Sequence, residues 1–332
     1  MLDFKGIIGH NAVKTHLLNA VRTGRVSHAY MLIGEKGMGR RTIADAFALT
    51  LFCEKGGTEP CRSCHACRQV LAGTHPDLIY ITHEKPATIS VDEVREQLAE
   101  TVGIRPFSGG KKVYIMPDAD RMTVQAQNAL LKTIEEPPDY AVILLLAEND
   151  EALLETIRSR VVKLRLKPLP QETVERWLIE KKGIGEKDAR LAAGFSRGNP
   201  GLALSLAGSE EFRTNYGEDL KLLSRLPDAG MQEILADIRS VKEREGGPDT
   251  FLAFFRMYLR DILMIKTGAE KQGVIFSDHA DELFRASRRL SYEKLGQLLD
   301  GVERAEDRLS ANCNPELILE ILFMSMKEGT HL

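Results

Sequence analysis

The sequence predicts an α/β domain built on a parallel sheet, followed by a small helical segment and an all-helical C-terminal domain. Three observations carry that expectation. Short apolar and β-branched runs alternate with helix-length amphipathic stretches through the first half of the chain. A glycine turn joins the first such run to an alanine-rich helix in LIGEKGMGRRTIADAFAL, residues 32–49. After KPLP at 167–170 the strand signals fade, and the chain reads as helix from there on.

Taken in order, the expected strands are 30–33, 78–82, 113–116, 142–146 and 161–166. Fully apolar runs such as VILLL suit a central strand buried on both faces. Helices are expected over 42–52, 91–102 and 123–136. In the last of these Ala126, Leu130 and Ile134 fall on one face, and Pro137-Pro138 stop it. Residues 171–207 read as short helices broken at Gly183, Gly185 and the SRGNPG turn, 196–201. Longer helices are expected over 250–266 and 292–309. In FLAFFRMYLRDILMI, Leu252, Phe255, Leu259 and Ile262 recur at helical spacing as a core stripe, with Arg256, Arg260 and Asp261 between them. The divisions fall at 1–166, 167–207 and 208–332.

At 332 residues the chain is too long for one ordinary core. A formal charge of -3 does not mark a nucleic-acid binder, so DNA contact would need a local patch. The small basic stretch RPFSGGKK, 105–112, is one candidate, against a plain turn before the next strand. No apolar run is long enough to span a bilayer, and MLDFKGIIGH lacks the charged-then-apolar order of an export signal. The expectation is a cytoplasmic protein without a membrane partner, where reducing conditions favour metal binding over disulfides.

That matters for Cys53, Cys61, Cys64 and Cys67, spaced by seven, two and two residues. Four thiolates at such spacing can enclose one tetrahedral Zn2+ with no open position, which makes the site structural. An iron–sulfur cluster and plain free thiols are the rival readings; against the cluster, no nearby cysteine followed by proline completes a ferredoxin run. His65 is expected to be a bystander, and Cys313 to be remote and buried.

The glycine turn has the frame of a phosphate-binding loop, GxxxxGK[ST], whose N–H groups cradle phosphate while its lysine and hydroxyl serve the terminal phosphates and magnesium. Here Arg40 stands in the lysine position and Arg41 in that of the hydroxyl. Thr42 cannot substitute, because one helical residue turns a side chain by about 100°. In VYIMPDADRM, Asp118 is placed to serve a metal, but Ala119 occupies the water-activating position and Asp120 comes one residue late. The alternative is that both acids merely cap the next helix. In TIRSRVVKL, the Ser159-Arg160 pair puts a guanidinium at the domain edge, where it either stabilises phosphate charge in a neighbouring subunit or makes an ordinary surface ion pair.

HAYMLIGEKGMGR, the four-cysteine insert, THPDLIYI, ISVDEVREQ, DADRMTVQAQNALLKTIEEPP and TIRSR occur in the order found in bacterial clamp-loader AAA+ subunits, which the chain resembles from residue 4 to about 206, and more weakly beyond. The resemblance implies an AAA+ domain over 1–166 with a zinc-binding insert at 53–67, a helical lid over 167–207, and a collar over 208–332 that joins subunits into an open heteropentameric ring. Such a ring uses ATP to open the sliding clamp and place it on primer–template DNA. The family's zinc ligands map onto Cys53, Cys61, Cys64 and Cys67, and its arginine finger onto Arg160, preceded by Ser159, which would reach ATP held by a gamma/tau subunit. The nucleotide site maps onto Gly34, Gly37, Gly39, Arg40, Arg41, Thr42 and Asp118.

The departures choose a place within the family. The loop lysine, the hydroxyl and the activating acid are gone; Glu148 falls near the first sensor position, and Gly201 and Leu202 stand where the second sensor's arginine belongs. Val161 replaces the cysteine that follows Ser-Arg. The chain is therefore expected to be a rigid stator beside the ATPase gamma/tau subunits and the clamp-opening delta subunit, without ATP hydrolysis of its own. Whether ATP still binds passively is left open by these residues. The alternatives are an ATP-hydrolysing gamma/tau-type subunit and a stand-alone zinc-containing nucleic-acid binder; any nucleotidyl transfer belongs to the assembly.

Overall fold

The computed structural model of the chain describes residues 3–244, 246–268 and 274–328. It comprises two compact units, one of residues 1–177 with 198–202, the other of residues 178–197 with 203–332.

In the first unit, α1 (Asn11–Thr23), β1 (Ala29–Ile33), α2 (Arg40–Phe52), α3 (His65–Ala72), β2 (Leu78–Tyr80), α4 (Val91–Val94), β3 (Lys112–Met116), α5 (Val124–Glu135), β4 (Ala141–Ala147), α6 (Glu155–Arg158) and β5 (Val162–Arg165) follow in order. The sheet order is β2-β3-β4-β1-β5, and every pairing is parallel. All seven residues of β4 are buried, as its uninterrupted apolar sequence requires. Because strand side chains alternate between faces, Tyr30, Leu32, Ile115 and Leu144 enter one core with Phe47 of α2. Met31, Ile33, Tyr114 and Ile143 enter the other with Leu130 and Ile134 of α5. Each face of the sheet thus has its own helical cover.

Two expectations change in detail. The helix expected over 91–102 is α-helical only through Val91–Val94 and then widens into a π-turn over Arg95–Ala99. Gln97 lies in that turn, and its amide exchanges hydrogen bonds of 2.9 and 2.8 Å with the backbone N–H and carbonyl of Thr82. The strand expected over 78–82 ends at Tyr80: its ladder closes with the Ile81 N–H on the Ile115 carbonyl at 2.9 Å, and the next bond would need an N–H from Pro117, which has none.

The helices that follow are α7 (Gln171–Lys182), α8 (Glu186–Phe195), α9 (Pro200–Gly208), α10 (Glu210–Arg225), α11 (Met231–Glu243), α12 (Gly247–Lys266), α13 (Ala280–Arg289), α14 (Tyr292–Ser310) and α15 (Pro315–Glu328). In the second unit Leu252, Phe255, Leu259 and Ile262 of α12 are fully buried, as their spacing predicts. Asp261 does not share the polar face suggested by the pattern. It is 0% exposed, pairs with Arg260, and accepts the backbone N–H of Phe276 at 2.8 Å. Cys313, expected to be buried, is exposed, because it lies in the turn between α14 and α15 rather than on a helix face. Among the described residues no helix is long and apolar enough to cross a membrane.

Candidate functional site

A parallel sheet gathers its loops by end, and the sequence-predicted residues sort themselves accordingly. β1 runs into the glycine loop, with Gly37 and Gly39 in the left-handed region at φ 92° and 93°. β4 ends level with β1, Ile33 opposite Ala147, so Glu148 emerges beside Gly34. β3 runs at the same end into Asp118, two strands away. Gly34, Gly37, Gly39, Arg40, Glu148 and Asp118 therefore share the C-terminal edge of the sheet.

What fills that edge differs from a working phosphate loop. Arg40 is the first residue of α2, and its side chain is 91% buried; its Nη2 donates to Glu148 Oε1 at 3.2 Å, while Nη1 is buried without a partner. An in-chain carboxylate thus lies where the helix N-terminus and a cation would otherwise attract phosphate oxygens. Arg41 turns away: it pairs with Asp45 at 3.2 Å and lies 4.0 Å over the Tyr80 ring. Thr42 is exposed on the next helical position. The SRGNPG turn closes on the loop from its other side. Asn199 Nδ2 donates to the Lys36 carbonyl at 2.8 Å, and the Gly201 N–H to the Gly37 carbonyl at 3.0 Å. A Cβ on Gly201 would lie 2.6 Å from the Gly37 oxygen, so the turn approaches the loop this closely only with glycine at that position.

Asp118 is left-handed at φ 49° and makes no cap hydrogen bond; its carboxylate lies 3.8 Å from His83 Nε2. Capping does not account for the two acids, because Thr123 caps α5, its hydroxyl accepting the Ala126 N–H at 3.2 Å. Asp120 Oδ1 is buried without a partner.

Arg160 lies at the opposite edge. It precedes β5, whose first residue, Val162, is level with Tyr30. From Val162 to the level of Gly34 is four strand positions, about 13 Å at a strand rise of roughly 3.3 Å, and Arg160 lies beyond the far end of that span. Its guanidinium is partly exposed, donates to the Thr156 carbonyl at 3.1 Å and to Ser159 Oγ at 3.4 Å, and meets Glu135 at 3.1 Å.

The cysteines converge. The sulfurs of Cys53, Cys61, Cys64 and Cys67 all lie within 4.8 Å of one another, compared with the roughly 3.8 Å expected between thiolates bound to one Zn2+ at about 2.3 Å. Backbone N–H groups point at the sulfurs: Cys61 to Cys53 at 3.3 Å, Cys64 to Cys61 at 3.3 Å, and Cys67 to Cys64 at 3.4 Å. The Ser63 N–H and hydroxyl, with the Cys64 N–H, bring the Cys61 thiol down to about 5, while burial and the neighbouring thiols push Cys67 up. An all-thiol set with N–H donors to its sulfurs fits a soft cation, and His65 stands outside it.

Sequence reasoning noticed Glu148 without its tie to Arg40, and passed over Asn199 entirely. It also missed buried Asp77, whose carboxylate holds the 105–112 loop through Phe107 and Ser108. The THPD string was the available signal for that anchor.

Known proteins align with this arrangement over nearly its whole length. The family model described as DNA polymerase III, delta subunit, matches residues 9–170, and the one described as DNA polymerase III, delta subunit, C terminal, matches 220–328. The chain is 30% identical over 321 residues to DNA polymerase III subunit delta' of Bacillus subtilis (strain 168), covering 94% of each. It is 31% identical over 316 residues to subunit delta' of Escherichia coli (strain K12), covering 94% of this chain and 92% of that one. Subunit tau of Bacillus subtilis (strain 168) is 24% identical over 351 residues, covering 99% of this chain and 62% of tau. With two delta' subunits at this identity and coverage, the chain belongs to the DNA polymerase III delta-prime subunit family.

Proposed function

We propose that this chain is a non-hydrolysing stator of a DNA polymerase III clamp loader, supporting ATP-dependent loading of the sliding clamp onto primed DNA and donating Arg160 to the ATP site of a neighbouring gamma/tau subunit. The observation that carries this reading is the division of the sheet between two edges. The chain's own glycine loop faces Glu148 and an arginine in place of the catalytic lysine. Arg160 lies at the far edge, where no rotamer brings it back to that loop, so any phosphate it touches belongs to another subunit. Its partner Glu135 is itself half exposed, so the ion pair is weak enough to exchange for a phosphate.

In this reading residues 1–166 are the AAA+ domain, 167–207 the lid and 208–332 the collar through which the chain joins gamma/tau and delta in a heteropentamer. Cys53, Cys61, Cys64 and Cys67 would hold one structural Zn2+, which clamps the segment between α2 and α3 onto the domain. The protein would act in the cytoplasm, and its contacts with primer–template DNA would come through the complex.

The test is reconstitution with purified gamma/tau, delta, clamp and primed DNA. Clamp loading should require this chain, and Arg160→Ala should leave assembly intact while slowing ATP turnover, by roughly 10³-fold or more at the one site that Arg160 completes, the scale of known arginine fingers. Unchanged turnover would remove Arg160 from the mechanism. Magnesium-dependent ATP hydrolysis by the isolated chain would instead place it with the gamma/tau-type ATPases.

A further inference from the structure

The second unit holds a cleft of about 510 Å³, a volume within the range of small-molecule sites, and neither the glycine loop nor Arg160 belongs to it. Its lining comes from α10, the turn at 226–228, α12, α13 and α15. Part of that lining is apolar: Pro227, Leu290 and Met326 are core residues whose edges reach the cleft. Part is polar. Tyr258 is 1% exposed and brings its hydroxyl to Ser224, and the Ser224 hydroxyl donates to Glu282 Oε2 at 3.1 Å. Four cationic side chains line the same space, and they are not equivalent. Arg225 is paired with Asp237, and Arg289 with Asp228 at 2.9 Å. Lys221 of α10 and Arg285 of α13 are exposed and make no hydrogen bond or ion pair among the described residues. The cleft thus offers two uncommitted cations and an apolar surface. It also offers one carboxylate, Glu282, that no lysine or arginine pairs among the described residues.

We propose that this cleft binds a nucleoside monophosphate, with its phosphate on Lys221 and Arg285, its base against Pro227, Leu290 and Met326, and its ribose at Glu282. Charge sets the first assignment. A phosphate monoester carries roughly 1.5–2 negative charges near neutral pH, which two cations balance, and the arginine fork suits its oxygens. The apolar lining sets the second, because a base presents a flat face that needs no hydrogen bond there. The third rests on a spare acceptor. Glu282 Oε2 takes the Ser224 hydroxyl, whereas Oε1 lies 3.6 Å from His279 Nδ1, too long for a hydrogen bond. It is left to accept a ribose hydroxyl, as a carboxylate does in dinucleotide sites. A sugar phosphate is the less suitable occupant, since its hydroxyls would meet apolar side chains unpaired. An acidic peptide is also less suitable, because the helices that line the cleft spend their backbone groups internally and offer no strand edge.

Titration calorimetry of the full chain with AMP and with GMP tests this. At least one of the two should bind at one site per chain, with its free nucleoside and inorganic phosphate each about tenfold weaker or more, since each lacks part of the contact set. The 2′,3′-dideoxy form of the same nucleotide should also bind about tenfold more weakly, the scale of one hydrogen bond to a charged group. Lys221→Ala with Arg285→Ala removes exposed side chains that make no bond, so the double variant should melt with the unaltered chain. It should bind the nucleotide about 100-fold more weakly, the scale of two charge-assisted hydrogen bonds. Undiminished binding by the double variant overturns the proposal, because the nucleotide is then held elsewhere, the glycine loop included. Binding of neither AMP nor GMP overturns it outright. Inorganic phosphate as tight as the nucleotide reduces the cleft to a simple anion site, and equal affinity for the dideoxy form overturns the nucleoside assignment. A polyglutamate peptide that binds more tightly than either nucleotide, and loses that affinity in the double variant, overturns it in favour of an acidic protein partner.

Discussion

Replacing Glu148 by alanine should turn a closed anion site into an open one. The Arg40–Glu148 contact is 3.2 Å long, with one side chain 9% exposed and the other 43%. Breaking a fully buried pair costs about 3–5 kcal/mol, and an exposed pair about 0–1. With only the arginine end buried, we expect Glu148→Ala to cost about 1–2 kcal/mol, which for a unit of this size lowers its melting temperature by roughly 2–8 °C. The variant leaves Arg40 buried at the N-terminus of α2 with no carboxylate, a place a phosphate oxygen can take. Pyrophosphate at about 100 times its dissociation constant would return about 2.7 kcal/mol, more than the loss. In the unaltered chain the same anion must displace Glu148, so its apparent affinity should be about 5–30-fold weaker. Thermal unfolding of both proteins with and without pyrophosphate reads this difference. Equal stabilisation of both by the anion, or none of the variant, would show that Glu148 does not guard the site.

The other sites make narrower predictions. Metal analysis of the full chain should find one zinc, and Cys64→Ser should lose it; iron, or no metal, sinks that assignment. Hydrogen bonds from Ser108 and Phe107 outweigh burial and hold Asp77 below its ordinary 3.8. Its contribution to stability is therefore complete above that value and lost as pH falls through the lower folded value, so denaturant titrations below about pH 4 should show an acid-sensitive loss that Asp77→Asn lacks. A variant with the same acid profile would deny the anchor its charge. Asp261→Ala should destabilise the second unit by about 2–4 kcal/mol, because it strands the Phe276 N–H and unpairs Arg260, while Asp261→Asn should recover part of the loss. Chemical denaturation with equal midpoints for both would contradict that account.

How much of this was legible beforehand depends on whether a feature is periodic. The strands and helices declared themselves because burial repeats along the chain: VILLL had to be a two-faced strand, and the Leu252, Phe255, Leu259, Ile262 stripe had to be core. Where one side chain competes with the backbone, the period misleads. Gln97 holds the Thr82 backbone from within a π-turn that no helical period announces, and Asp261 leaves the face its position implies in order to accept the Phe276 N–H. Cys313 has the composition of a core residue but the location of a turn.

The sequence by itself determined the fold class, the loss of the loop lysine and hydroxyl, and the four-cysteine set, because each depends on residue type and spacing within a short stretch. Tertiary structure alone decided what those residues meet. Parallel pairing put Glu148 beside the glycine loop and Arg160 at the opposite edge, although Glu148 is much nearer to Arg160 than to Arg40 in the chain. Asp77 meets Phe107 across 30 residues, and Asn199 meets Lys36 across 163. Contacts of that separation follow from which strands pair and in which register, a global property of the sheet that no local run of residues encodes.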